Sequence, residues 1–337
     1  MKISVYITSY NRKQRLSEAI DSVLKQTLLP SQLILVDDGS VDGSQDVIRC
    51  YANQYPDLVT AIFHSSNQGV AASRIDALRA VKGDYVTYLD DDDRFLPTKL
   101  AREARTLEED PDCQMVFSNY YFVDQQGERI GVWSNRKNLD KGNTLFKVFA
   151  RQFPKRWSFK MGLVNYEAWS RIGFYDPHLA LWEDFDMEIR LAKQLKTVYV
   201  EEPLSEIRLF GNGVSKSRPF KHIKALRYVW KKNSSYLIDM HLKERREVER
   251  EYGRLLTSFS RLSPLISSEN VCSWLGRGRI AERYYMSWLH KCGTLPDIQD
   301  FLFVWRIKLS ECLRVFKLTF KKFSLSLHVT NWKGAKT

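Results

Sequence analysis

The sequence predicts an α/β fold: a largely parallel sheet with helices on both faces, followed by a mostly helical, basic C-terminal region. Three observations predict it. Short β-branched apolar runs alternate with amphipathic stretches from the start of the chain to Asp90. Polar clusters follow three of those runs: residues 8–12 (TSYNR), 37–40 (DDGS) and 90–93 (DDDD). Open parallel sheets bind ligands at the carboxyl ends of their strands, so clusters in that position point to one crevice. Finally, charge divides unevenly. Residues 1–215 hold 27 Lys and Arg against 30 Asp and Glu, net −3, whereas residues 216–337 hold 25 against 10, net +15.

Taken in order, residues 2–8 (KISVYIT) read as a strand, and Leu16, Ala19, Ile20, Val23 and Leu24 recur at helical spacing after it. Residues 32–40 (QLILVDDGS) form a second strand ending in acids and a glycine turn. Residues 44–55 are helical, 58–63 (LVTAIF) a strand, and 69–83 a helix closed by Gly83. Residues 84–90 (DYVTYLD) are a strand again. A β-hairpin turning at DQQGE is expected between residues 115 and 133, then a basic segment with a short helix, two helices over 164–195, and one or two strands over 196–209. The domain boundary is expected near residue 215, with residues 1–215 catalytic and 216–337 a basic helical region.

The composition is that of a globular protein, 44% hydrophobic and 27% charged. No apolar core for a secretory leader opens the chain, and no apolar run approaches the ~20 residues of a membrane helix. Five scattered cysteines lack metal-ligand spacing and read as reduced thiols of a cytosolic protein. Four successive carboxylates, Asp90 to Asp93, repel one another and need a positive partner. A hard divalent cation with oxygen ligands supplies one. Asp93 alone, just ahead of a helix, reads as a solvated residue near the helix cap.

Five motifs now stand in order: ITSYNR, LVDDGSVDGS, NQGVAASRIDAL, YLDDDDRFLP and, some ninety residues later, WEDFDMEIRL. On these residues the chain resembles family 2 glycosyltransferases with a GT-A (Rossmann-like nucleotide-diphospho-sugar transferase) fold, of the kind that builds bacterial surface polysaccharide and lipopolysaccharide. The resemblance covers roughly residues 1–215. It implies a nucleotide-sugar donor, UDP foremost, and Mg2+ or Mn2+ held by carboxylates against the diphosphate. Asp92 would ligate the metal, Asp91 would contact ribose or share the ion, and Asp90 would assist. Thr8 and Asp38 match uracil-binding positions, and Tyr10 would stack on the base or simply end the first strand. Asn11 and Arg12 would support the pocket, Arg74 would face the diphosphate, and Asp37 would hold the turn. From the Glu183–Asp184 pair, Asp184 would act as general base for an inverting displacement and Glu183 would orient the acceptor, unless the pair only caps its helix. One departure stands out: Phe210 lies where relatives carry a histidine, which leaves the third protein ligand to the metal open. His178 and His222 read as surface or packing residues.

The tail completes this reading. From Ile298 to Leu327, apolar and aromatic residues recur at three- or four-residue steps, flanked by Arg306, Arg314, Lys317 and Lys321. Such a helix either packs internally or lies on an anionic membrane leaflet, where a lipid-linked glycan acceptor would be found. The expected location is cytoplasmic, peripheral on the inner face of the cell membrane. No nucleic-acid recognition motif is present. A nucleotidyltransferase and a catalytically inactive glycan-assembly scaffold are the alternative functions.

Overall fold

The computed structural model describes residues 1–135, 144–153, 160, 162–209, 219–260, 285–292 and 300. Its order begins β1 (Ile3–Ser9), α1 (Lys13–Leu24), β2 (Gln32–Asp37), α2 (Ser44–Gln54), β3 (Val59–Phe63), α3 (Val70–Arg79) and β4 (Tyr85–Asp90). These four strands pair in parallel in the order β3-β2-β1-β4. β2 is buried at all six positions, as a strand covered on both faces must be. α1 turns Leu16, Ala19, Ile20 and Val23 into the core, the face that the apolar spacing gives.

The second half of the sheet is mixed. It comprises β5 (Arg94–Phe95), α4 (Lys99–Glu109), β6 (Met115–Val123), β7 (Arg129–Trp133), α5 (Leu145–Phe149), β8 (Leu163–Asn165), α6 (Tyr166–Ile172), α7 (Glu183–Gln194) and β9 (Thr197–Arg208). β8 runs antiparallel to both β4 and β6, and β5 runs antiparallel to β9. β6 pairs in parallel with β9 and antiparallel with β7, the expected hairpin. The complete path is β3-β2-β1-β4-β8-β6-β9-β5, with β7 beside β6. The short strands β5 and β8 are not visible as sequence periodicity.

By packing, the chain divides into two units. The first contains residues 1–216 and 227–239; the second contains 217–226 and 240–337. α8 (Pro219–Asn233) therefore gives its last residues to the first unit, followed by a 3-10 turn, Ser234–Asp239. In the second unit, Tyr252 of α9 (Leu242–Ser260) donates to the Leu226 carbonyl (2.7 Å) and stacks on Trp288. His222 stacks on Phe259 at 4.4 Å between ring centres, a packing histidine. Phe210 and the tail helix of residues 298–327, apart from Asp300, lie outside the described residues.

Candidate functional site

Register builds the site. Thr8 lies beside both Val36 and Asp90, and Ser9 beside Asp37. The three polar clusters thus meet at the carboxyl edge of β1, β2 and β4, the crevice the alternation predicts.

The β2 end is a turn held by side-chain hydrogen bonds. Asp37 accepts from the Ser40 amide (2.8 Å) and from Gln45 Nε2 (2.9 Å), so it holds the turn. Asp38 is 4% exposed. It accepts from the amides of Gln68 (2.8 Å) and Gly69 (2.9 Å), and its Oδ1 lies 2.8 Å from His64 Nδ1. The far nitrogen of His64 lies 3.2 Å from Asp76. In this arrangement Asp38 anchors the 64–69 segment, and any base contact would use remaining lone-pair capacity. Asn11, at φ 53°, accepts from the Val41 amide and donates its own amide to Ser40. These two bonds brace the loop. Tyr10 is 47% exposed.

At the β4 end the acids divide in role. Asp90 pairs with Arg74 (3.0 Å), and Arg74 together with Lys160 holds its carboxyl below the ordinary range against the opposing effect of burial. Burial and the neighbouring Asp92 charge push Asp91 up to about 7. Burial and the Asp90 charge push Asp92 up to about 6, with Arg12 at 3.8 Å as partial relief. Asp93 is not the solvated residue the sequence suggests. It is 3% exposed and accepts from the Arg208 amide (2.8 Å), which ties the acidic loop to the end of β9. The Arg208 side chain completes that tie through the carbonyls of Asp92 (3.1 Å) and Gln125 (3.0 Å) and through Glu18 (2.9 Å). Sequence reasoning missed Arg208; its one signal is a lone cation closing a strand that otherwise carries only acidic charges.

Arg74 connects β4 to the acid pair. It is 6% exposed, its Nη1 donates to Glu183 (3.1 Å), and its guanidinium lies between the rings of Tyr88 (5.2 Å) and Tyr175 (5.3 Å). Two carboxylates and two aromatic faces engage a cation expected to face the diphosphate. Glu183 and Asp184 open α7 after Trp182, a bulky residue held at φ 66°. Burial and Asp184 push Glu183 up to about 7 despite Arg74. Asp184 makes no ion pair among the described residues; its Oδ1 accepts the Phe185 amide (2.8 Å), and it lines a cavity with Tyr88, Trp169, Tyr175 and Glu188.

Asp91 and Asp92 fit a hard divalent cation on one structural ground: they are two largely buried carboxylates whose ionisation is opposed for want of positive charge. Among the described residues, no group of three or more His, Cys, Asp or Glu is arranged to hold a metal.

Residues 4–165 match the family described as Glycosyl transferase family 2. The uncharacterized glycosyltransferase alr2836 of Nostoc sp. is 45% identical over 102 residues, 30% of this chain and 31% of that protein. A putative teichuronic acid biosynthesis glycosyltransferase, TuaG of Bacillus subtilis, is 26% identical over 231 residues, 68% of this chain and 87% of that protein. The chain thus spans under a third of the first relative and most of the second. Among solved structures, S. aureus TarS in complex with UDP shares the fold at TM-score 0.64 and 15% identity, over 92% of this chain and 89% of that one. The mannosyltransferase PcManGT of Pyrobaculum calidifontis, in complex with GDP-Man and Mn2+, gives TM-score 0.53 at 16% identity, over 91% and 87%.

Proposed function

The chain carries a family 2 glycosyltransferase domain of GT-A fold, and from that premise we propose that it transfers one sugar, with inversion, from a UDP-sugar to a hydroxyl of a lipid-linked glycan in bacterial surface polysaccharide synthesis. The chemistry is assigned to residues 1–216 and 227–239. The observation that carries the reading is the division of labour in the acid pair: Arg74 pairs with Glu183, while Asp184 makes no ion pair among the described residues and only feels the charge of Lys160.

The donor nucleotide lies along the carboxyl edge of β1, β2 and β4, with Tyr10 against the base and Thr8 and Asp38 at its polar edge. Asp91 and Asp92 would hold Mg2+ or Mn2+, which supplies positive charge to the departing diphosphate. PcManGT, with its Mn2+, supports that assignment. Asp184 takes the proton from the acceptor hydroxyl as that oxygen attacks the anomeric carbon, and the bond to the diphosphate breaks in the same displacement. Glu183 keeps Arg74 against Asp90 and orients the acceptor. The teichuronic acid assignment of TuaG supports a surface-glycan acceptor. No helix among the described residues is long and apolar enough to cross a membrane. The excess charge of residues 216–337 supports a peripheral place on an anionic inner leaflet.

The test is Asp184→Asn beside Glu183→Gln. Asp184→Asn is expected to bind UDP as wild type does and to lose transfer by ~100- to 10,000-fold, the usual worth of a general base. A loss under about tenfold, with the large loss in Glu183→Gln instead, reverses the roles within the pair.

A further inference from the structure

α7 carries the acid pair in its first turn, and two positions beyond Asp184 stands Asp186, an anion with no access to substrate. Asp186 is 0% exposed. Its Oδ2 accepts from Arg190 Nε (3.0 Å) and Lys232 Nζ (2.9 Å), and its Oδ1 accepts from Asn233 Nδ2 (2.8 Å). Lys232 also donates to Asp176 (2.8 Å), which takes a further hydrogen bond from Tyr228 (3.1 Å). Arg190 closes the cluster by donating to the carbonyls of Gly173 (2.9 Å) and Phe174 (2.8 Å).

Two segments are joined by this cluster, and both bear on the proposed chemistry. Asp186 lies two positions beyond Asp184 on the same helix. Asp176 follows Tyr175, whose ring covers Arg74 at 5.3 Å and whose hydroxyl meets that of Tyr6 at 3.2 Å. Lys232 is the cation that pairs with a carboxylate of each segment. It comes from beyond residues 4–165, the stretch that matches the family, and from beyond the sequence boundary at residue 215.

We infer that Lys232 is a positioning residue for the acid pair, holding α7 and the 172–176 segment in the one register that presents Asp184 to the acceptor while Arg74 stays on Glu183. The inference rests on the reading of Asp184 as general base. Buried anions of like sign demand compensation, so without Lys232 Asp186 keeps Arg190 and Asn233 while Asp176 keeps only the Tyr228 hydroxyl and the His178 amide, and the two carboxylates separate. The first turn of α7 moves with Asp186. A displacement of about 1 Å at a reacting group can cost roughly 100-fold in rate. A purely structural clamp would lower stability and leave the turnover of folded molecules unchanged.

The experiment uses the full chain with Mn2+ and whichever of UDP-glucose, UDP-galactose and UDP-N-acetylglucosamine the wild type hydrolyses fastest. UDP release is measured well below each thermal midpoint, and UDP affinity is measured by calorimetry. Lys232→Met is expected to slow UDP release by about 10- to 100-fold while UDP affinity stays within about twofold, and Lys232→Arg is expected to restore most of the rate. Should Lys232→Met fail to fold, Lys232→Gln, which keeps a hydrogen-bond donor, is read by the same criteria. Unchanged release per folded molecule, or UDP affinity falling in step with rate, overturns the inference. Asp184→Asn is run in parallel: if that variant hydrolyses donor at the wild-type rate, the base assignment fails irrespective of Lys232.

Discussion

Arg74 joins Asp90 at the end of β4 to Glu183 at the start of α7, with one terminal nitrogen on each carboxylate, 3.0 and 3.1 Å away. One guanidinium thus connects the acidic loop, 16 positions away, to the acid pair, 109 positions away. Replacing it leaves two largely buried carboxylates with only the charge of Lys160 nearby, and breaking such a pair typically costs about 3–5 kcal/mol. Arg74→Met is expected to lose stability of that order in urea unfolding and to lose transfer with it. Arg74→Lys, a point charge that cannot serve both carboxylates through separate nitrogens, should fall between. A loss below about 1 kcal/mol in Arg74→Met would show that the bridge contributes little.

Asp92 should behave in the opposite way. Its carboxyl is pushed up to about 6, so the folded protein resists ionising it, and removing the charge relieves the fold at pH 8. Asp92→Asn is expected to match or exceed wild-type stability in EDTA, by on the order of 1–3 kcal/mol at most. Transfer should nevertheless collapse, and the thermal shift produced by UDP with Mn2+ should disappear, because stabilisation by a ligand follows its saturation. Scanning fluorimetry with and without Mn2+ reads both effects. A variant that keeps the Mn2+-dependent shift removes Asp92 from the metal site.

Glu183 gives a pH signature. Its folded carboxyl is raised to about 7, against 4.5 for the free group. Below pH 4.5 both states hold the proton and the stabilising contribution is complete. As pH rises toward 7 the unfolded chain releases its proton first, so that contribution is lost, on the order of 3 kcal/mol across the window. Glu183→Gln has no proton to lose and still accepts from Arg74. Relative to wild type it should therefore gain stability between pH 5 and pH 8, measured by urea unfolding. A difference that is flat with pH would mean that Arg74 fully offsets the burial of Glu183.

The strands of the first half were legible because each is an apolar run of five to seven residues, three of them with a polar cluster at the same end. The acid motifs were legible because their residue types are uncommon at strand ends. What could not be read is partnership. Nothing in NQGVAASRIDAL says that Arg74 is clasped by carboxylates from two other elements, because those partners lie 16 and 109 positions away. Asp93 is buried by a backbone amide 115 residues downstream, and Lys232 reaches Asp186 across 46. β5, at two residues, and β8, at three, are shorter than any period a sequence can display.

Gly39 offers a prediction about the donor loop that involves no charge. It sits at φ 75° in the turn between Asp38 and Ser40, a backbone region that side-chain-bearing residues rarely adopt. A Cβ there would meet Ser66 C at 2.6 Å, Ser66 Cα at 2.7 Å and Asn67 N at 2.8 Å, all of them backbone atoms. Backbone cannot rotate aside as a side chain can, so Gly39→Ala must push the 64–69 segment away from the β2 turn. That segment supplies the two amides and the histidine nitrogen around Asp38. The cost combines about 1 kcal/mol for the left-handed conformation with the clash, so a loss above roughly 2 kcal/mol is expected. UDP affinity should drop more steeply than stability explains, because Asp38 loses its anchors while Asp91 and Asp92 keep theirs. Calorimetry with UDP at a temperature where the variant is fully folded checks this: unchanged affinity would remove the β2 turn from the nucleotide site.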